Sequence, residues 1–171
     1  KEMQSAFEKN LVRPFTVGYA ESTLLPARDA IEHGTIRRNV KPPNNSFFTN
    51  WTSTDDSITW DVEIVNDADY EVVVRYTCAA GDEGVTMKLT RELDGKPAQH
   101  TSAPVRQVFD PPLYDKSKER VKASHYFVKD FRPMALGTLR LPAGKCLLRL
   151  TAEDMPGSQA IDVHSIQLIR K

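Results

Sequence analysis

The clearest order in this chain is an alternation of apolar and polar positions over residues 57–64. Ile58, Trp60, Val62 and Ile64 alternate with Ser57, Thr59, Asp61 and Glu63. A period of two is what a strand with one buried face requires, so the spacing predicts a half-buried antiparallel strand with Trp60 in the core. The polar word at 66–69 breaks the pattern as a turn would. Tyr70, Val72, Val74, Tyr76 and Cys78 then share one face of a second strand, with Glu71, Val73, Arg75 and Thr77 on the other. The two strands are expected to form a hairpin. Its turn lacks the Asn-Gly of the tightest connections, so a longer loop is expected.

The same alternation returns at Val85, Met87 and Leu89, and Asp94-Gly95 marks another hairpin turn. Strands are predicted over 136–141 and 146–151 around a Pro-Ala-Gly turn at 142–144, and a closing strand over 161–169 after a loop at 154–158. Residues 15–50 are irregular and proline-rich, with short strands expected around 15–20 and 46–51. Residues 99–123 carry Pro104, Pro111 and Pro112 and a charged run at 115–120, which reads as a long loop; hydrophobicity resumes over 124–131. Met3, Phe7 and Leu11 put one apolar stripe on a short helix or linker over 1–12, and Pro14 ends it. The domain proper is expected over 13–171. Roughly eight to ten short strands with no helical pattern between them disfavour alternating strand–helix architectures. They predict an all-β fold, two antiparallel sheets packed as a β-sandwich of jelly-roll type.

Composition then narrows the function. Lys plus Arg number 23 and Asp plus Glu number 23, so the chain has no bulk attraction for nucleic acid or an anionic membrane. No apolar run approaches the roughly 18 residues that a membrane span needs. The words G-x-S-x-G, H-E-x-x-H and C-x-x-C and a glycine-rich phosphate loop are all missing, so no motif for nucleophilic, metal or phosphate chemistry is present. His33, His100, His125 and His164 are too far apart along the chain to make a local metal pair. Cys78 and Cys146 lie in apolar runs, either as small buried residues or as a disulfide between neighbouring strands. The carboxylates fall mostly in turns, where acids serve the local backbone. The chain is therefore expected not to be an enzyme.

Two sets of residues stand out as candidate sites. Trp51 lies beside Asn50 and a polar stretch containing Asp55, and an exposed tryptophan among hydrogen-bonding groups is a platform for a sugar ring. Tyr114 is added to this ligand-binding set; Tyr19 and Tyr126 are weaker loop candidates. The basic words Arg37-Arg38 and 116–122 could meet anionic groups, sulfate included. Asp162 sits in an otherwise apolar strand, where a carboxylate needs a partner. That partner is either a structural Ca2+ ion with Glu21 as co-ligand, or an arginine or backbone donor.

The strand words built on Trp60-Val62-Ile64, Tyr70-Val72-Val74-Tyr76 and Ile161-Asp162-Val163 resemble the galactose-binding-like carbohydrate-binding modules. That resemblance implies glycan binding, and in such modules an N-terminal glutamate and a final-strand aspartate hold a calcium ion. The phrases FTVGYAESTLLPARDAIEHGTI, NNSFFTNWTSTDDSITWDVEI and HYFVKDFRPMALGTLRL resemble the C-terminal accessory region of bacterial sulfatases of the arylsulfatase and N-acetylgalactosamine-6-sulfatase group, from about residue 13 to the end. The sulfatase nucleophile word C/S-x-P-x-R is missing: Cys78 precedes Ala79 and Ala80, and Cys146 precedes Leu147 and Leu148. This second resemblance implies a detached accessory domain, extracellular or periplasmic, that accompanies a sulfatase catalytic domain near glycans, sulfated ones included. The expected function is a non-catalytic carbohydrate-binding-like module. The alternative is a structural domain that packs against a catalytic domain and has no glycan affinity of its own.

Overall fold

The computed structural model describes residues 14–42, 45–113 and 129–171. The expected helix or linker over 1–12, together with Tyr114, His125, Tyr126 and the basic run at 116–122, lies outside the described residues. Twelve strands are present among the rest: β1 (Phe15–Val17), β2 (Ser22–Pro26), β3 (Ile31–His33), β4 (Arg37–Arg38), β5 (Phe48–Thr49), β6 (Ser57–Ile64), β7 (Ala68–Thr77), β8 (Thr86–Leu93), β9 (Lys96–Pro104), β10 (Arg132–Leu141), β11 (Gly144–Glu153) and β12 (Asp162–Arg170). One sheet runs β1-β6-β11-β8-β9, with β3 also on β6; the other runs β10-β7-β12-β5-β4, with β2 on β12. The expected β-sandwich is what forms. One pair departs from the antiparallel rule: β1 lies parallel to β6, Phe15 opposite Val62.

The expected hairpin does not form: β6 and β7 cross between the two sheets and face each other across the core. The alternation on each does what period two demands. Ile58, Trp60, Val62 and Ile64 point inward to meet Tyr70, Val72, Val74 and Tyr76, and all eight are buried. Leu148 and Leu150 of β11 and Ile166 and Leu168 of β12 extend the same core. Trp60 keeps its indole N–H satisfied by donating to the Pro26 carbonyl at 3.1 Å, so its burial leaves no orphan donor.

The structure differs from the sequence expectation at β9, which occupies part of the segment read as a long loop. Its inward positions are Gln99, Thr101 and Ala103 rather than large apolar residues, so no alternation announces it. Two hydrogen bonds replace apolar packing there: Gln99 accepts from the buried Arg91 at 2.9 Å, and Thr101 donates to the Leu136 carbonyl of β10 at 2.8 Å. As the edge of its sheet, β9 also tolerates Pro97 and Pro104.

A second local device fixes the loop that leads into β6. Gly34 has φ +86°, and a Cβ there would fall on the Asp56 carboxylate. Asp56 is buried and accepts from the Thr35 N–H at 3.0 Å and the Thr35 hydroxyl at 2.5 Å. Gly34→Ala is therefore expected to destabilise the domain by about 1–3 kcal/mol through left-handed strain and displacement of that carboxylate. A lowered urea midpoint checks it.

Candidate functional site

Trp51 does not stack on a ligand. It is 1% exposed, the interior of the loop end rather than a surface platform, and its indole N–H is spent on the Ser53 carbonyl at 3.1 Å. Its own carbonyl accepts from Ala160 at 2.9 Å, which ties the β5–β6 loop to the start of β12. The polar neighbours that suggested a wet site instead hold the loop's backbone. Asn50, at φ 60°, donates its side-chain amide to the Thr35 carbonyl at 2.8 Å. Asp55 stays exposed, its N–H donating to the Ser53 hydroxyl at 3.1 Å. Asn50 and Asp55 thus flank a buried ring. Tyr114 lies outside the described residues.

Glu21 and Asp162 do not form a metal pair. The Glu21 carbonyl accepts from the Arg170 N–H at 2.8 Å, at the far end of β12 from Asp162. Eight residue steps along β12 separate Asp162 from Arg170, about 26 Å at roughly 3.3 Å per step, whereas Ca2+ holds oxygens at about 2.3–2.6 Å. Asp162 finds the other kind of partner. Lys129 donates to its carboxylate at 2.5 Å and to the Thr77 hydroxyl at 2.7 Å. The same ammonium lies 4.9 Å from the centre of the Phe47 ring and 5.6 Å from that of Phe131. No cluster of three or more His, Cys, Asp or Glu able to hold a metal occurs among the described residues.

The cysteines are free thiols, set apart at the C-terminal end of β7 and the N-terminal end of β11. Burial pushes the Cys78 thiol up to about 11, and the nearby Asp82, Glu83, Asp110 and Asp162 push the same way. Only the thiolate reacts, so Cys78 is expected to resist iodoacetamide in the native protein at neutral pH and to be labelled on denaturation. Peptide mapping after each treatment checks this.

A groove of about 550 Å3 crosses the outer face of the β6–β11–β8 sheet. Its floor follows from strand register. Asp61 lies opposite Leu147, and Leu147 lies opposite Glu92, so the three form a row across neighbouring strands. Pro14, just before β1, closes one end of the groove and Asp94-Gly95 the other. Strands about 4.8 Å apart make the row from β1 to β8 about 14 Å long. Arg149, one pleat along β11, holds Glu92 with two hydrogen bonds of 2.7 and 3.3 Å and donates to Ser57 at 2.7 Å. The exposed Asp61 carboxylate carries no hydrogen bond or ion pair among the described residues. The row therefore offers one free carboxylate, one fixed carboxylate and an apolar leucine between them. The alternation on β6 marks Asp61 as solvent-facing; nothing in the sequence places Leu147 or Glu92 beside it.

A smaller cavity of about 200 Å3 at the opposite end includes Asp82, Asp110 and Asp162. Asp82 already accepts from the Ser158 and Gln159 N–H groups at 2.9 and 3.2 Å, and Asp162 is held by Lys129. Among the described residues the most exposed large apolar side chain is Tyr19, 87% accessible, in the β1–β2 loop. That loop is anchored by Asn66 and Arg170, both donating to the Gly18 carbonyl.

No protein-family model matches the chain, and no curated protein matches it. Solved structures do. A family 35 carbohydrate-binding module from Clostridium thermocellum aligns with a TM-score of 0.58 at 14% identity, over 89% of this chain and 100% of that one. The GH26-CBM35 β-(1,4)-mannanase of Podospora anserina aligns with a TM-score of 0.57 at 16% identity, over 88% of this chain and 28% of that one. The mosquito-larvicidal Cry4Aa toxin of Bacillus thuringiensis aligns with a TM-score of 0.63 at 13% identity, over 92% of this chain and 25% of that one. The chain thus spans about a quarter of the mannanase and toxin chains. At these identities the likeness is one of fold: the β-sandwich found in carbohydrate-binding modules, and in a toxin as well.

Proposed function

We propose that this domain is a non-catalytic carbohydrate-binding module that seats a glycan in the groove over Asp61, Leu147 and Glu92. The groove carries the reading. Carboxylates that face solvent accept hydrogen bonds from sugar hydroxyls, and a leucine between them lies under the apolar face of a ring. A row of about 14 Å has room for two or three sugar units side by side across the strands. The fold it shares with the Clostridium thermocellum module supports the same reading. Following the sequence resemblance, the partner in a longer protein is a sulfatase-type catalytic domain, outside the cytoplasm. A purely structural domain would call for one broad apolar face. Among the described residues the exposed Tyr19, Leu24, Ile31, Val65, Leu93, Val108 and Leu113 are instead spread over the β1–β2 loop, β2, β3, the β6–β7 loop, the end of β8 and the segment after β9.

A polysaccharide array on the isolated domain tests the proposal. Binding is expected, and Asp61→Ala is expected to weaken it about 10- to 100-fold with the fold intact by circular dichroism, the loss of a hydrogen bond to a charged group. Binding that Asp61→Ala and Leu147→Ser leave untouched would move the glycan elsewhere.

A further inference from the structure

Resting on that glycan-binding reading, we propose that the groove selects neutral saccharides, with Asp61 taking a pair of adjacent hydroxyls, and excludes sulfated and uronic acid residues. Among the described residues that line the groove, Arg149 carries the one guanidinium. An arginine recognises sulfate or carboxylate by presenting two parallel N–H donors. Here Nε and Nη2 of Arg149 are committed to Glu92 and Nη1 to Ser57. The Nε–Nη2 edge, one of the two that can read an anion, is occupied by a carboxylate of the protein itself, 17% exposed and fixed in place.

What remains open is acidic. Asp61, Glu92 and Asp94 line the groove against Lys145 and Arg149. With Arg149 neutralising Glu92, Asp61 and Asp94 face the ligand against Lys145 among the described lining residues. A carboxylate is an acceptor only, so a free Asp61 asks for donors, and two neighbouring hydroxyls match its two oxygens. A sulfate or uronate placed there brings like charge against it and no donor. Of the basic residues that suggested sulfate recognition, Arg37 and Arg38 do not line the groove, Arg38 being bound to Glu32 and to the Arg28 and Ala30 carbonyls; the run at 116–122 lies outside the described residues. Neutral stretches of a polysaccharide are therefore the class of ligand this groove takes.

Matched pairs of one backbone with and without charge separate these possibilities: dextran and dextran sulfate, agarose and carrageenan oligosaccharides, methyl-esterified and de-esterified homogalacturonan. Affinities are read by isothermal calorimetry at low ionic strength, on the wild-type domain, on Asp61→Asn and on Asp61→Lys. The neutral member of any pair that binds is expected to bind about tenfold or more tighter than its charged form. Asp61→Lys is expected to narrow or invert that ratio, and added salt to shrink it. A wild-type domain that prefers the charged member overturns the neutral-ligand inference and leaves the glycan-binding reading standing. So does a neutral preference that neither Asp61 variant alters. Silence across these pairs and a broad array overturns both.

Discussion

Trp51→Ala is expected to destabilise the domain by about 3–5 kcal/mol, the cost of emptying a tryptophan-sized space in a closed interior. The residue is 1% exposed and packs within the same continuous core as Phe48, Ile58 and Ile161. Two further losses add to the cavity. The Ser53 carbonyl loses its indole donor, and the loop that Trp51 fastens to Ala160 loses its side-chain anchor. A large fall in the urea midpoint measures the effect. A Trp51→Ala domain with unchanged stability and weakened glycan binding would instead restore the tryptophan as a surface platform.

Lys129→Met is the second large effect. It strands the Asp162 carboxylate and the Thr77 hydroxyl at the start of β12, where Lys129 is 8% and Asp162 21% exposed. Removing one member of a buried pair leaves an uncompensated charge, and the partial exposure of Asp162 softens that penalty, so about 2–4 kcal/mol is expected. The cation–aromatic contacts with Phe47 and Phe131 are lost as well. The double variant Lys129→Met/Asp162→Leu removes the charge along with its partner and is expected to recover most of the loss. Chemical denaturation of the two single variants and the double variant gives the coupling directly. Additive losses would show that the pair is no closed unit.

The contrast between these two residues explains how much the sequence carries. Trp60 and Trp51 have similar composition around them at short range, yet only Trp60 sits in a period-two run that fixes its face. The alternation on β6, β7 and β8 is a local property, enforced by the pleat, and it makes the sandwich legible. Trp51 lies in a loop, where no period operates and burial depends on what the rest of the chain brings over it, here Ala160 from more than a hundred residues away. Asp162 was legible as a carboxylate that needs a partner; that the partner is Lys129 depends on how the chain returns after the segment at 114–128. The groove is the same case. Asp61 shows its polar side in sequence, but its neighbours Leu147 and Glu92 are set by two strand registers that no spacing along the chain encodes. β9 was hidden for a chemical reason: its inward face is built on Gln99 and Thr101, which hydrogen bonds satisfy and hydropathy does not mark.

The most direct measurement is a backbone amide chemical-shift map of the 15N-labelled domain, titrated with a neutral oligosaccharide that the array identifies. Shifts are expected to concentrate at Asp61, Leu147, Glu92 and the Asp94-Gly95 turn, with the Trp51 loop silent. Shifts gathered on the Trp51 loop or around Tyr19, with the Asp61–Leu147–Glu92 row unmoved, would contradict it.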